Sequence, residues 1–283
     1  MKSDIRWVGF DMDECIGSVM PLYDFIHKLR GQEDFLQMCD SLYESEITGR
    51  TWLFRPAIFK ALRLLWAAYD RGAIQGAFIL SNNSSDALVQ TVGIMLNVFI
   101  QRLVNKEHAT LVFQLAISMG SPCRAAFGDV KSYEVVQHSL SAHNLQPCTS
   151  PEHLLFFDDM SHVLQSQIPH YVRVPPYFNH IDVMIIADVL DPLGEARDDW
   201  QSAVDGAKAR QTRDVVAAQL EDIAYILTPQ ETEQTEEDET MFRKAFQDFL
   251  GTGRPSRVNK KTLRGTKTRK SRRRASFRPA EVL

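Results

Sequence analysis

The sequence predicts an α/β protein of Rossmann-like, three-layer architecture built on a mainly parallel sheet. Three observations carry that prediction. Short apolar runs alternate with longer stretches of helical spacing, the pattern of βαβ crossovers. Several of the runs stop abruptly at acidic or small polar residues, as strands do at the ligand-binding edge of such a sheet. The 283 residues are 44% hydrophobic and 24% charged. That is material for a sizeable core, without the bias of disordered, collagenous or disulfide-rich chains.

Ile5–Phe10 is apolar and ends at a cluster of acids, so it reads as a buried parallel strand. Leu22, Phe25, Ile26 and Leu29, then Phe35, Leu36 and Met38, have helical spacing broken near Gly31. Pro56 suits the first turn of a helix through Ala57–Tyr69. Gly76–Leu80 is a second strand, and Ser81-Asn82-Asn83-Ser84 can cap a helix beginning near Asp86. Residues 86–118 read as helical throughout, as one helix or two. Arg124–Phe127 is a weaker third strand, followed by a helix from Ser132 to about Ala142. His153–Phe157 is a clear strand ending at Asp158-Asp159, and Tyr171–Val174 another, stopped by Pro175-Pro176.

The net charge of -4 averages two unlike pieces. Residues 251–283 hold 12 bases against one acid, Glu281, while residues 1–250 hold 20 bases and 35 acids. The division expected is a core over 1–180 with a small cap or flap insertion at about 18–55. A helical extension over 181–250 follows, then a basic disordered tail over 251–283. Glu231–Glu239 interrupts the extension and reads as a solvated linker, with folding back onto the basic tail as the other option. Arg269–Arg274, within the basic stretch 254–278, suits a nuclear-import or nucleic-acid contact as well as a solubilising tail.

Cys15, Cys39, Cys123 and Cys148 are scattered without CxxC or zinc-ligand spacing, and the histidines show no metal spacing either. The acidic N-terminal stretch is unlike a signal peptide. No run approaches the roughly 18 apolar residues of a membrane span. The expected setting is therefore intracellular, cytoplasmic or nuclear, with no membrane partner.

The chemistry collects where strands end. Asp11 and Asp13 follow the first strand, Ser81 the second and Asp158-Asp159 the fourth, while Lys131 opens the helix after the third. All are expected at one edge of the sheet. Four clustered carboxylates call for a cation, and oxygen ligands with room for water suit Mg²⁺. A hydroxyl near a helix N-terminus and an ammonium suit phosphate oxygens. The expectation is a magnesium and phosphate site.

Asp11-Met12-Asp13-Glu14-Cys15-Ile16 after an apolar strand resembles the DxDx[TV][LV] nucleophile motif of the haloacid-dehalogenase (HAD) superfamily of phosphatases. Ser81 matches its second motif, Lys131 its third and Leu154–Met160 its fourth. The motif style is similar to the magnesium-dependent and carboxy-terminal-domain aspartyl phosphatases, over roughly residues 5–178. The resemblance implies a HAD-like fold and a Mg²⁺-dependent phosphomonoester hydrolase. It implies Asp11 as nucleophile through an aspartyl-phosphate, and Asp13 as general acid and base with its carbonyl toward the metal. Asp11, Asp13, Asp158 and Asp159 form the implied metal set, with Asp159 the direct ligand of the pair. Ser81, Asn82 and Lys131 are the implied phosphate contacts. Cys15 departs from the usual Thr or Val, a small change in a buried turn.

From Asp13 to Ser81 there are 67 intervening residues, and 49 from Ser81 to Lys131. Neither span has room for a large cap, which favours a substrate such as a phosphoprotein or nucleic-acid end over a small molecule. Trp52, Phe54 and Arg55 are expected to pack in the core before the helix at Pro56, with substrate cover as the alternative. Arg50 and Arg55 are further candidates for contact with a second anionic group. A receiver domain also uses acids, Ser/Thr and Lys, but its acidic pair precedes the phosphorylated Asp, opposite to the order here. A C–Cl dehalogenase needs neither Mg²⁺ nor the second acid. The other class is a non-catalytic scaffold that binds nucleic acid or protein through its tail.

Overall fold

The computed structural model describes residues 4–28, 32–51, 53–105, 111–177, 183–190, 201–209 and 233–251. The tail beyond Gly251, its candidate nuclear-import or nucleic-acid stretch, Trp52 and most of 191–232 lie outside the described residues. Five strands form one all-parallel sheet: β1 (Trp7–Phe10), β2 (Gly76–Leu80), β3 (Phe113–Ile117), β4 (Leu154–Asp158) and β5 (His170–Arg173). Their order is β3-β2-β1-β4-β5, the doubly wound arrangement whose crevice opens beside the first strand, where the order reverses.

Alternation along the strands divides the core between two faces. Val8, Phe10, Ile79, Leu155 and Phe157 point to one face, under α3 (Ile58–Asp70), α4 (Asp86–Val104) and α9 (Glu233–Leu250). Trp7, Phe78, Leu80, Leu115, Ile117, Leu154 and Phe156 point to the other, against α5 (Tyr133–Ala142) and α6 (Val163–Gln167). Helices therefore flank both faces, consistent with a Rossmann-like sandwich. Gly9 lies in mid-strand because a Cβ there would stand 2.5 Å from Phe78 Cζ, with Phe156 closing the other side.

The stretch between β1 and β2 holds α1 (Leu22–Ile26), α2 (Gln32–Ile47) and α3. It closes on itself through a Gly17–Phe54 bridge. Helix α2 packs on α4 and on α7 (Val183–Leu190), and its Met38, Cys39 and Leu42 are buried in the core. Phe54 is buried, edge-on to Phe99 with ring centres 5.1 Å apart, which makes it a core residue. A further helix, α8, covers 201–209.

Three readings of the sequence are corrected. The third strand is Phe113–Ile117, inside the stretch read as helical, and Arg124–Phe127 is a 3-10 turn and loop. The Glu231–Glu239 stretch is not a solvated linker: from Glu233 it is the first part of α9, and Asp238 is buried. Helix α4 is long and apolar enough to span a membrane by length and composition alone. Here it is a core helix, and buried Asn97 ties it to β3 by donating to Phe113 O at 2.9 Å and accepting from Phe113 N at 2.9 Å.

Candidate active site

Register brings the acidic residues together. Phe10 pairs with Phe157 in β4 and with Ile79 in β2. Asp11 therefore stands beside Asp158 and one residue short of Ser81. The Asp11 amide donates to Phe157 O at 2.8 Å, which holds β1 against β4 up to the first acid. Asp11, Asp158 and Asp159 are buried, with carboxylate oxygens within 4.8 Å of one another.

Lys131 reaches this group from a different place than expected. It does not follow a strand; it precedes Ser132, the N-cap of α5, whose hydroxyl accepts from Val135 N. Its carbonyl accepts from Leu164 N at 3.0 Å, which ties the approach to α5 onto α6. The ammonium is 2.7 Å from Asp11 Oδ1 and donates to Asp158 Oδ2 at 3.1 Å. Asp158 Oδ1 accepts from Met160 N at 3.0 Å. Both oxygens of Asp158 are thus engaged within the protein, which leaves Asp159 better placed for a direct role.

Asp13 stands apart from that trio. Its Oδ2 accepts from Asn83 Nδ2 at 3.2 Å, and its Oδ1 is shielded and has no hydrogen-bond partner. Asn83 is itself aimed by Ser85 N, which donates to Asn83 Oδ1 at 2.8 Å, and Ser85 caps α4 in place of the four residues expected to do so. Ser81 is buried, and its Oγ accepts from Asn83 N at 3.0 Å, which directs the hydroxyl proton elsewhere. The Asn82 side chain does not face the carboxylates with its oxygen; Oδ1 accepts from Arg124 Nη2 at 2.9 Å.

Charge is badly out of balance here. Burial, then the Asp11 carboxylate, pushes Asp13 up to about 7. Burial, then Asp11, Glu14 and Asp158, pushes Asp159 up to about 8. Burial likewise raises Asp11, against the pull of Lys131. Burial alone would depress the Lys131 ammonium, but Asp11 and Asp158 outweigh it and hold it protonated. Two unit charges about 4 Å apart repel by ~4 kcal/mol at an effective dielectric of about 20. One ammonium does not neutralise four carboxylates, so a divalent cation fits the group of Asp11, Asp158 and Asp159.

Three neighbours escaped the sequence reading. Arg124 is fully buried and donates to Ser81 O at 2.7 Å, to Asn82 Oδ1 and to Val130 O at 3.3 Å. It braces the ends of both loops that carry Ser81 and Lys131. Asn83 aims at Asp13. His162 Nε2 lies 3.8 Å from Asp158 Oδ2, and burial and Lys131 depress its pKa. Arg50 is exposed, whereas Arg55 is fully buried and committed to protein partners, so it is unavailable to a second anion.

Comparison with known proteins adds no relative: no family model, no curated protein and no solved structure matches this chain. Function rests on the site alone.

Proposed function

We propose that the protein is a Mg²⁺-dependent phosphomonoester hydrolase of HAD type, with Asp11 as nucleophile. The observation that supports this reading is the Lys131 ammonium lodged between Asp11 and Asp158, with Asp159 beside them, at the sheet's switch point. A site for a neutral ligand has no use for so many buried carboxylates. A site for a phosphoryl group bridged by a metal does.

Asp11 and Asp159 would hold Mg²⁺, with Asp158 braced behind them and the Asp13 carbonyl as a further ligand. The ion supplies positive charge that offsets both the carboxylates and the phosphoryl oxygens. Asp11 attacks phosphorus, and the P–O bond to the leaving group breaks as the P–O bond to Asp11 forms. Asp13 enters protonated and gives its proton to the leaving oxygen. It then takes a proton from the water that attacks phosphorus, which frees Asp11 and inorganic phosphate. The Ser81 hydroxyl and Lys131 ammonium hold the equatorial oxygens, with the Asn82 amide as a third contact. The short spans between the motifs, which leave no room for a large cap, favour a phosphoprotein or nucleic-acid end as substrate.

The test is hydrolysis of p-nitrophenyl phosphate with and without Mg²⁺. Turnover that requires the metal and is lost in Asp11→Asn supports the assignment. An Asp11→Asn variant with wild-type turnover rejects it.

A further inference from the structure

Arg55 is the most heavily engaged side chain near the site, yet it touches none of the carboxylates read as reacting or metal-holding. It follows Phe54, whose bridge to Gly17 closes the insertion, and its amide donates to Ile16 O at 2.9 Å. The guanidinium turns inward to the loop after Asp13. Nε donates to Cys15 O at 3.0 Å and Nη2 to Glu14 O at 2.9 Å and to Pro175 O. Its carbon lies 5.3 Å from the centre of the Tyr177 ring, and Tyr177 N donates to Glu14 O at 2.8 Å.

That loop needs support. Glu14 has a φ of 62°, in the left-handed region that costs a residue with a side chain roughly 1–2 kcal/mol. Its carbonyl and that of Cys15 are turned toward the interior, where unpaired acceptors are costly. Arg55 satisfies both with one rigid fork. The charge this brings inside is met by Asp238 of α9, whose Oδ2 lies 2.5 Å from Nη1, with both side chains buried. A second, more exposed contact, Lys60 to Glu239 at 3.7 Å, joins α3 to α9.

We propose that Arg55 and Asp238 are positioning residues for Asp13, so that helix α9 is a working part of the active site. This rests on the reading of Asp11 and Asp13 as the reacting pair. Asp238 fixes Arg55, Arg55 fixes the carbonyls of Glu14 and Cys15, and those fix the turn on which Asp13 stands. Loss of either charge loosens the turn without altering the sheet.

The test compares Arg55→Gln and Asp238→Asn in the full chain, each of which removes one charge of the pair, with Phe246→Leu as a control that loosens α9 without touching Arg55. Two readouts are taken: kcat and KM for p-nitrophenyl phosphate, and hydrogen–deuterium exchange of the 12–17 segment. The expected result is a kcat lowered about 10–100-fold, KM within about twofold, and faster exchange at 12–17 while β1 stays protected. Phe246→Leu lowers Tm but leaves kcat and the exchange at 12–17 unchanged. Asp238→Glu restores most of the turnover. Wild-type kcat and wild-type exchange in both charge variants would overturn the positioning role, even with Asp11→Asn inactive. If the wild type hydrolyses no phosphomonoester but the charge variants still speed exchange at 12–17, the hydrolase reading fails and the loop clamp stands.

Discussion

Arg124 donates to the carbonyl oxygen of Ser81 at 2.7 Å, from a position 43 residues further along the chain. The contact links the loop after β2 to the segment that delivers Lys131, because the same guanidinium also reaches Val130 O. The hydroxyl and the ammonium assigned to one phosphate group therefore share a brace. Arg124→Lys keeps the charge but cannot span Ser81 O, Asn82 Oδ1 and Val130 O together. Its kcat for p-nitrophenyl phosphate should fall about tenfold, with stability lowered by about 1–3 kcal/mol in urea titration. Unchanged kcat would show that the brace is not used.

The unpaired carboxylates make a second prediction that runs against intuition. Asp159 is raised to about 8 by burial and by its acidic neighbours, so near neutral pH the metal-free folded protein must hold a proton there that the unfolded chain does not, at a cost in stability. Asp159→Asn should raise Tm without Mg²⁺ and abolish the rise in Tm that Mg²⁺ gives the wild type. At about 100 times Kd, that ligand stabilisation is about 2.7 kcal/mol. Thermal melts of both proteins with and without the ion decide it. A metal-free Asp159→Asn that melts below wild type counts against the charge argument.

Glu46, remote from the carboxylate cluster, controls a pH dependence of stability. Burial pushes its carboxyl up to about 7, although Thr51 Oγ1 and the amides of Leu53 and Phe54 donate to it. A carboxyl whose folded pKa lies above its ordinary 4.5 favours folding through its protonated form. In that window the folded state binds the extra proton, so stability is full below about 4.5 and is lost as pH rises through about 7. Glu46→Gln removes the titration. Its Tm should fall less than that of wild type between pH 5 and 8, and parallel curves would exclude the role.

Gly17 sets the distance between the turn at 11–17 and the insertion. A Cβ there would overlap Leu53 O and stand 2.8 Å from Phe54 Cα, both backbone atoms with little freedom to yield. Gly17→Ala should cost about 1–3 kcal/mol, the range for overpacking, and lower kcat as well, because Arg55 enters at this bridge. Wild-type stability and turnover would mean the insertion is free to move away.

The sequence reveals the strands that stop at chemistry and hides the charges that are buried. The strands β1, β2 and β4 stand out because each is a short apolar run with a sharp polar end, and β5 because two prolines stop it. Phe113–Ile117 is less plain: Gln114 interrupts it, and only the polar stretch 105–110 separates it from the apolar α4. The misplaced third strand also gave Lys131 the wrong support, although it reaches the expected edge. Arg124 carries no pattern of its own because a lone charged residue is ordinarily solvated, whereas Arg55 is expected in the core and is buried there; what stays hidden is its pairing with Asp238. One signal was present: Asp238, Phe242, Phe246 and Phe249 fall on a single helical stripe, and all four are buried. An acid in line with three buried aromatics is not surface charge.

The ion pair between Arg55 and Asp238 spans 183 positions, and Arg6 Nη1 reaches Phe249 O at 3.0 Å across 243. During synthesis the turn at 11–17 leaves the ribosome long before the helix that neutralises its clamp. At about 5–20 residues per second the wait between Arg55 and Asp238 is roughly 9–37 s. For that interval a nascent chain holds an uncompensated guanidinium and an open sheet face where Phe242 and Phe246 will pack. Chaperone dependence should therefore concentrate on this interval, and ribosome-bound chains halted before Glu233 should remain protease-sensitive around 12–17.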